Sequence, residues 1–339
     1  MKRVTINDVA KVAGVSRQTV SRAMNDKGEI SPDTKKRVMA AVRELGYQPN
    51  RMAQSMVTRR TRTVGVVLAD ITNPFFPEVA KGIQDTARSN DYNILLCNSA
   101  DEEGVEIATL YSLAAQGVDG IILFAHQTTN AELQTFADGF DGPIVVVNRF
   151  FKHPKVQMII VDNLKGAKTA VSHLINQGHT AIGFITNAVE HASQMRRVQG
   201  YKETLAEHGL PQPESWIAYT EPTLQGGYEA AKKLLQEHKD LTAVFTYNDL
   251  LAIGTMRACK EIGRRVPEDI EIIGFDDILL ASMVAPTLSS VHVDKYKLGQ
   301  TAMKHLLKLI DDKDEPFTTI HIDVELVLRE STKNLGNIA

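Results

Sequence analysis

Residues 5–25, TINDVAKVAGVSRQTVSRAMN, constrain the fold more than any other stretch, because their apolar side chains recur at helical spacing on both sides of Gly14. Thr5 followed by Asp8 is typical of a capping box at the start of a helix. Ser16 is a candidate cap for a second helix. In each helix the apolar side chains fall on one face. The pattern predicts two short helices joined by a tight turn at Gly14.

The outward face of the second helix carries polar side chains of the kinds that recognise DNA. Arg forms paired hydrogen bonds with guanine and Gln with adenine, whereas Ser and Asn suit phosphate oxygens. The residues on this face are Arg17, Gln18, Ser21, Arg22 and Asn25. They predict the recognition helix of a helix-turn-helix. A solvated face on an ordinary helical hairpin is the alternative.

A third helix and a short connecting segment follow. Ser31 before a proline is typical of a helix start, and Gly46 of a helix end. Residues 1–48 therefore read as a small helical head, and residues 49–62 as a hinge. The hinge contains a helix-forming segment at 50–57, which is only about two turns long and marginal alone in water. We expect it to form a helix only when packed, and a plain linker is the alternative.

Charge divides the chain into a basic head and an acidic body. Residues 1–62 hold 14 Lys and Arg against 5 Asp and Glu, and the remainder holds 24 against 36. A division of this kind favours an anionic polymer bound by the head alone. The sequence shows no long apolar run, signal peptide or lipidation motif, so we expect a cytoplasmic protein with no membrane partner. Cys97 and Cys259 have no metal-like spacing and are expected to be reduced core thiols.

From Thr63 onwards short apolar runs alternate with amphipathic helices, which is typical of parallel sheets with helices on both faces. The runs are VGVVLA, NILLC, GIILF and PIVVVN in one series, and QMIIVD, AIGFIT, WIAYT, AVFTYN and IEIIGFDD in a second. The predicted helices lie near 79–87, 106–115, 164–176, 198–207, 228–236, 250–262 and 296–310, with a terminal strand region near 320–328. The fold class is α/β, with an N-terminal all-α head and hinge helix before a core, 63–339, of two doubly wound parallel-sheet lobes. We expect one lobe to combine 63–161 with 294–323, and the other to combine 162–291 with 324–339.

Polar side chains follow most of the apolar runs, where ligands of open α/β sheets bind. They are Asp70, Asn73, Asn98, Ser99, Asn148, Arg149, Thr186, Asn187, Asn248, Asp249, Asp276 and Asp277. Together they predict a hydrogen-bonding cage for a small polyhydroxylated or heterocyclic ligand, to which Arg197 could add a paired clamp. Each residue alone also has an alternative as a helix cap or turn former. Phe75 and Phe76 could stack on a ring or belong to the core.

Motifs for catalysis are absent from the sequence. No GxGxxG follows a strand, and there is no GxxxxGK[ST], GxSxG or HExxH. The chain is therefore predicted not to be an enzyme and to need no cofactor or metal.

At this point the sequence resembles the lactose and galactose repressor family of bacterial transcription factors, over about residues 4–330. The head matches in TINDVAKVAGVS, TVSRAMN, LGYQPN and NRMAQSM. The body matches in DITNPFF, GVDGII, RRVQGY, YNDLLAIG, VPEDIEIIGFDD and PTLSSV. The resemblance implies a periplasmic-binding-protein-like core and a homodimeric repressor that binds a near-palindromic double-stranded DNA operator.

The resemblance also implies residue roles in DNA binding. Arg17, Gln18 and Arg22 match the residues that read bases in the major groove, and Met56 matches a Leu that the family wedges into the minor groove. Eight further residues match phosphate contacts: Thr5, Ser16, Thr19, Ser21, Asn25, Ser31, Thr34 and Asn50. Met56 departs from the family's Leu, which bears on the size of the DNA kink.

In the effector cleft the resemblance implies a second set of residues. They are Asn73, Phe75, Asn148, Arg197, Asn248 and Asp276. In some members an aromatic residue stacks on the ligand, and it aligns with residues 221–223, which contain no aromatic residue. Lys295 falls near a second ligand-facing aromatic of the family. Paired hydroxyls suit Arg197 and Asp276, so the expected effector is a carbohydrate, with a purine as an alternative.

Two other functions remain as alternatives. One is a catabolite-control regulator of the same family that answers chiefly to a phosphorylated carrier protein. The other is a solute-binding protein, because the body resembles periplasmic sugar receptors. Residues 1–57 and the absence of a signal peptide argue against the second of these.

Overall fold

In the computed structural model the described residues are 4–24, 30–47, 60–100, 102, 104–124, 127–312 and 318–333. The chain divides into two compact units, Met1–Thr61 and Arg62–Ala339. The predicted hinge helix and the residues Asn25, Asn50 and Met56 lie outside the described residues. No helix in the described part of the chain is long and apolar enough to cross a membrane.

The described part of the first unit contains three helices, α1 (Ile6–Ala13), α2 (Arg17–Met24) and α3 (Pro32–Leu45). Their buried side chains form one small core. Its members are Val9, Ala10, Ala13, Val20, Ala23, Val38 and Ala41. The turn between α1 and α2 depends on Gly14, whose φ of 63° lies in the left-handed region that glycine adopts without a Cβ clash. The predicted helical hairpin and third helix are confirmed by these elements.

The second unit is built on two six-stranded sheets with equivalent strand orders. The first runs β11-β5-β4-β3-β1-β2 and the second β12-β10-β9-β8-β6-β7. Every strand pair is parallel except β10 with β12. The strands of the first sheet are β1 (Thr63–Leu68), β2 (Asn93–Asn98), β3 (Ile121–Phe124), β4 (Ile144–Val147), β5 (Val156–Val161) and β11 (Thr319–Ile322). Those of the second are β6 (Ile182–Asn187), β7 (Ile217–Thr220), β8 (Ala243–Thr246), β9 (Glu271–Asp276), β10 (Ser289–His292) and β12 (Glu325–Val327).

Eight α-helices are described among these strands. They are α4 (Phe75–Ser89), α5 (Val105–Ala115), α6 (Asn130–Gly139), α7 (Asn163–Asn176), α8 (Ala192–Glu207), α9 (Leu224–Glu237), α10 (Asp249–Glu261) and α11 (Lys295–Asp311). Short 3-10 helices lie at Glu214–Trp216 and Leu279–Ser282. The predicted α/β fold with two parallel-sheet lobes is confirmed.

The chain passes between the two sheets three times. It leaves the first sheet after β5 and enters α7, returns after β10 into α11, and leaves again between β11 and β12. We call the part around the first sheet the N-lobe and the part around the second the C-lobe. The first two crossings begin at the carboxyl ends of parallel strands, where ligands of such sheets bind. Side chains from both lobes therefore meet at these crossings.

The structure differs from the sequence prediction in two respects. Helix α6 was not predicted, although Thr129 and Glu132 form a capping box at its start. Helices α4, α8 and α9 begin earlier than predicted, at Phe75, Ala192 and Leu224. The first residues of α8 include Ser and Gln and those of α9 include two glycines, so they do not extend the apolar periodicity that marks the rest of each helix.

Candidate functional site

Helix α2 presents the predicted recognition face to solvent. Arg17, Gln18 and Arg22 are exposed, whereas Val20 and Ala23 are buried in the small core. The apolar side of α2 therefore fixes its orientation on the other two helices. The polar side remains accessible for hydrogen bonds with base edges.

Several predicted phosphate-contact residues lie at helix N-termini. Ser16 Oγ accepts a hydrogen bond from the Thr19 amide at 3.1 Å, and Ser31 Oγ accepts one from the Thr34 amide at 3.3 Å. Thr5 occupies the same place before α1. Ser21 lies one turn into α2 and is partly buried. Helix N-termini attract anions through their free amides and the helix dipole, so the positions of these caps suit phosphate oxygens.

In the second unit Arg197 is the centre of a buried hydrogen-bonded network. Its Nε donates to Asn163 Oδ1 at 2.9 Å, and its Nη2 lies 3.4 Å from Asp276 Oδ1. Its Nη1 donates to the carbonyl oxygen of Tyr247. The guanidinium also lies 4.4 Å from the Tyr247 ring centroid and 3.5 Å from that of Phe275. These contacts place the Arg197 head group in the C-lobe with little freedom to rotate.

Asn148 connects this network to the N-lobe. It follows β4 with a φ of 55°, and its Oδ1 accepts hydrogen bonds from the Val161 amide at 2.9 Å and from Asn163 Nδ2 at 3.3 Å. Asn163 is the first residue of α7, directly after the first crossing. We refer to Asn148, Asn163, Arg197 and Asp276 as the cleft network. It is a continuous polar path from one lobe to the other.

The carboxyl group of Asp276 is held in a buried environment at the end of β9. Burial raises its pKa from 3.8 to about 6, although the charges of Arg197 and Lys295 act in the opposite direction. The backbone of Asp276 has a φ of 102°, a conformation that L-residues rarely adopt. A carboxyl group of this kind changes its charge near neutral pH, and it can accept or donate a hydrogen bond accordingly.

The side chain of Lys295 is buried and does not face a ligand site. It is 1% exposed, and its Nζ donates to the carbonyl oxygens of Asp276 and Asp277 at 2.8 Å each and of Val293 at 3.1 Å. Nζ is also 3.9 Å from Glu78 in the first turn of α4. Lys295 therefore joins the start of α11 in the N-lobe to the end of β9 in the C-lobe.

The other predicted effector residues have their side-chain amides in helix caps. Asn73 Oδ1 accepts from the Phe75 amide at 3.0 Å at the start of α4. Asn248 Oδ1 accepts from the Leu251 amide at 2.9 Å, and its Nδ2 donates to the Pro222 carbonyl at 3.2 Å. Phe75 is half-buried against the N-lobe core. The structure thus brings Asn148, Arg197 and Asp276 into one network, whereas the described contacts of Asn73 and Asn248 are those of helix starts and Phe75 packs on the core.

Three further polar residues near Arg197 were not predicted from the sequence. Ser193 Oγ lies 3.0 Å from His191 Nδ1 and 3.4 Å from the Tyr247 hydroxyl. Burial, followed by the charge of Arg197, lowers the pKa of His191 to about 4, so the imidazole is neutral at pH 7. For Ser193 the signal that could have located it is its place four residues before Arg197, because residues at that spacing share a helix face. Tyr247 directly follows β8, where polar residues were predicted to bind ligand.

A cavity of about 530 Å³ lies beside the cleft network, and we call it the outer cavity. Both lobes line it: Thr128, Thr129, Asn130, Asn148, Arg149 and Phe150 from the N-lobe, and Glu190, His191, Ala192, Met195, Arg196 and Gln199 from the C-lobe. Asn148 belongs to both the outer cavity and the cleft network. The volume is within the range of small-molecule sites.

Family models match both parts of the chain. Residues 5–50 match the bacterial regulatory proteins of the lacI family, and residues 61–330 match the periplasmic binding proteins and sugar binding domain of the LacI family. Catabolite control protein A of Priestia megaterium is 36% identical over 331 residues, which cover 97% of this chain and 99% of that protein. The chain belongs to the LacI family.

Solved structures agree with this assignment. The lac repressor dimer bound to operator and the anti-inducer ONPF is 28% identical with a TM-score of 0.87, covering 98% of this chain and 100% of that one. A complex of the transcriptional regulator CelR with cellobiose is 29% identical with a TM-score of 0.74, covering 97% and 100%. As a LacI-family member, the protein is a DNA-binding transcriptional regulator with a ligand-binding core. Its relatives are transcription regulators and not enzymes.

Proposed function

We propose that this protein is a repressor that binds a near-palindromic operator as a homodimer and is controlled by a saccharide bound between the lobes of its core. The observation that carries the effector part is the cleft network, because it links Asn148 of the N-lobe to Arg197 and Asp276 of the C-lobe. A ligand that joins this network changes contacts of both lobes at once. It can therefore favour one arrangement of the lobes over another.

The DNA-binding part of the proposal rests on α2 and the helix caps. Arg17, Gln18 and Arg22 are accessible on one face of a helix whose other face is packed. Similarity to the lac repressor dimer on its operator supports the same use here. We assign the predicted phosphate-contact role to Thr5, Ser16, Thr19, Ser21, Ser31 and Thr34, and carry Asn25, Asn50 and the wedge role of Met56 as part of the same proposal.

Replacement of Arg22 by Ala tests the recognition helix. Because a paired Arg–guanine contact contributes about 1–3 kcal/mol of discrimination, Arg22→Ala is expected to lower operator affinity about 5- to 150-fold and to relax base preference at one position of each half-site. The measurement is binding at fixed salt to an operator selected by the protein from random DNA, followed by a repeat selection with the variant.

Arg43→Ala is the matched control for Arg22→Ala. It removes the same charge from the last turn of α3, about 18 Å along the helix from the Ser31 cap. It is expected to weaken binding to all sequences alike, and only slightly. Equal loss of selectivity in both variants would contradict the assignment of α2 as the recognition helix.

Sugar hydroxyls fit the donors and acceptors of the cleft network. Within the described residues, three of the five N–H donors of Arg197 are used, by Asn163, Tyr247 and Asp276. The remaining donors and the carboxylate of Asp276 can bind a hydroxyl that both donates and accepts. The matched domain is described as sugar binding in the LacI family, and the CelR neighbour holds cellobiose, which favours a saccharide over a purine.

A ligand panel tests the effector. Operator binding is measured with and without sugars, sugar phosphates, nucleosides and purines, and one saccharide is expected to shift affinity tenfold or more. The direction of the shift distinguishes inducer from corepressor. Asp276→Ala is expected to remove this response while operator binding persists within about twofold. Loss of operator binding in the folded variant would overturn the division of labour between the two units.

The remaining assignments complete this proposal. We assign residues 1–48 to the head, 49–62 to the hinge helix and linker, and 63–339 to the effector-binding and dimerisation core, in a cytoplasmic protein without enzymatic activity. Because the hinge segment is short, a change in the separation of its two copies is expected to alter its folding as well as its groove contacts.

A catabolite-control role is the second candidate, favoured by the 36% identity to Catabolite control protein A. In that case the purified protein would ignore every small ligand in the panel and bind operator more tightly with a phosphorylated carrier protein. The same binding assay, with the carrier protein added, distinguishes the two functions.

A further inference from the structure

One face of α8 lines the outer cavity. Ala192, Met195, Arg196 and Gln199 all contribute to its wall, and their spacing of three, four and seven residues places them on one side of the helix. From first to last they span about 10 Å. Arg197, the next residue after Arg196, turns about 100° away and enters the cleft network. Helix α8 therefore lines the outer cavity with one face and contributes Arg197 to the cleft network from another.

The opposite wall belongs to the N-lobe, and one contact joins the walls. The Arg196 guanidinium lies 5.4 Å from the ring centroid of Phe150, and its Nη1 donates to Gln199 Oε1 at 2.9 Å. Phe150 follows Asn148 and Arg149 in the loop after β4. The outer cavity therefore extends from Asn148, which also belongs to the cleft network, towards Phe150.

The lining of the outer cavity combines exposed apolar surface with amide groups. Phe150 is 48% exposed and Met195 is 57% exposed, which is high for side chains of these types. Asn130 in the N-lobe wall and Gln199 in the α8 wall add side-chain amides. Their oxygens accept hydrogen bonds from Arg149 and Arg196, while each NH2 group retains at least one N–H for a ligand among the described contacts. An aromatic ring beside amide groups is suited to a sugar ring, which has an apolar face of C–H groups and an edge of hydroxyls.

The charges around the outer cavity balance, because two arginines of its lining are offset by Glu190 in the lining and by Glu106 beside Arg149. Arg149 Nη1 is 3.5 Å from the buried carboxylate of Glu106, and Arg149 Nη2 donates to Asn130 Oδ1 at 3.0 Å. Arg196 is engaged by Gln199 and Phe150, and Glu190 adds a negative charge to the wall. A neutral ligand fits this balance better than a phosphorylated one.

We propose that the outer cavity is a second sugar subsite, so that the effector is a neutral disaccharide or longer saccharide. One ring binds the cleft network, and the next packs on Phe150 and Met195 along the outer face of α8. The lining of the cavity supports this assignment, since neither Arg197 nor Asp276 lines the outer cavity, so a ring held by those two side chains leaves it open for a second ring. This inference rests on the proposed saccharide effector, and it further specifies that the saccharide is neutral and at least two rings long.

The first test compares monosaccharides with disaccharides. Binding of glucose, galactose, glucose 6-phosphate, cellobiose, maltose, isomaltose, lactose and melibiose to the full-length protein is measured by calorimetry. At least one disaccharide is expected to bind tenfold or more tightly than either of its monosaccharides. A monosaccharide or the sugar phosphate binding as tightly as every disaccharide would overturn the subsite and leave the saccharide proposal standing. If no sugar binds, both proposals fail.

The second test uses variants of the outer wall with the disaccharide that binds. Phe150→Ala is expected to lower its affinity tenfold or more, with an effect at least fivefold larger than on the corresponding monosaccharide, and Phe150→Tyr should restore most of the loss. Tyr111→Ala is the matched control, because Tyr111 is 51% exposed in the same lobe and lies outside the outer cavity. It is expected to stay within twofold. Equal losses for both sugars, or no loss in Phe150→Ala, would overturn the proposal.

Discussion

At the scale of single residues, the C-lobe contains two ionisable groups whose pKa values move in opposite directions on folding. Burial raises the pKa of Asp276 from 3.8 to about 6 and lowers the pKa of His191 from 6.5 to about 4. The folded state therefore binds the Asp276 proton more tightly than the unfolded state and the His191 proton more weakly. As pH rises from about 4 to 6, the contribution of Asp276 to the stability of the fold falls, whereas that of His191 increases.

Variants of these two residues should separate the opposing effects. Relative to wild type, Asp276→Asn is expected to gain stability as pH rises from 4.5 to 6.5, and His191→Gln to lose it, each by on the order of 1–3 kcal/mol. The fluorescence of Trp216, the single Trp of the chain and a buried C-lobe residue, reports the unfolding midpoint. Asp85→Asn, on the N-lobe helix α4, is the control. A shift of both variants in the same direction would contradict the assigned causes.

The roles of single residues are the part of the site that the sequence predicted least well. Arg197 and Asp276 were predicted as cleft residues, and they meet in the structure, but their role in effector binding stays a prediction. Asn73 and Asn248 were predicted with them, yet their amides cap α4 and α10. Loops after strands require caps and ligands of the same residue types, so position alone does not distinguish the two uses. Asn163 was missed, although it directly follows the apolar run QMIIVD, where the same rule for polar side chains applies.

At the scale of elements, α4 and α11 are in direct backbone contact through two glycines. A Cβ on Gly299 would lie 2.1 Å from the Val79 carbonyl oxygen, and a Cβ on Gly82 would lie 2.1 Å from that of Tyr296. These distances are far inside van der Waals contact and involve backbone atoms that cannot rotate away. The close approach brings the first turn of α4 near Lys295 at the second crossing.

Gly299→Ala tests this close packing. It is expected to destabilise the core by about 1–3 kcal/mol, because the helices must separate to admit the methyl group. Gly139→Ala in α6 is the matched control, since nothing lies within 4 Å of its Cβ position and the change is expected to be neutral or stabilising by about 0.4–1 kcal/mol. Urea unfolding followed by circular dichroism measures both. Equal effects would exclude the packing explanation.

Element boundaries show why the first turn of α8 was not predicted from the sequence. Apolar periodicity indicated a helix only from Val198, whereas the helix begins at Ala192 with His191 as its cap. Ser193 of the missing segment contacts His191 and Tyr247, and Met195 and Arg196 line the outer cavity, so the segment does not continue the apolar stripe. Helix α6 was missed for a related reason, since its signal is the Thr129–Glu132 capping box and not a long apolar stripe.

At the scale of the whole core, the two lobes have one strand order and are joined by three chain crossings. The first crossing carries Asn163 and the second carries Lys295, and both make buried hydrogen bonds to residues of the cleft. The third carries Asp323, whose ion pair with Lys165 is exposed. Coupling between a bound effector and the arrangement of the lobes is therefore expected to depend on the first two crossings and not on the third.

Asn163→Ala should weaken this coupling. The variant keeps the helix but removes the side chain that joins Asn148 to Arg197, so a ligand at Arg197 no longer acts on both lobes through that path. The ratio of operator affinities with and without saturating effector is expected to fall at least threefold, while affinity without effector stays within twofold. Asp323→Ala is the control, because exposed ion pairs contribute about 0–1 kcal/mol and this one lies outside the network. If the ratio in Asn163→Ala stayed at the wild-type value with effector bound, or fell equally in Asp323→Ala, the cleft network would not be the route by which the lobes are coupled.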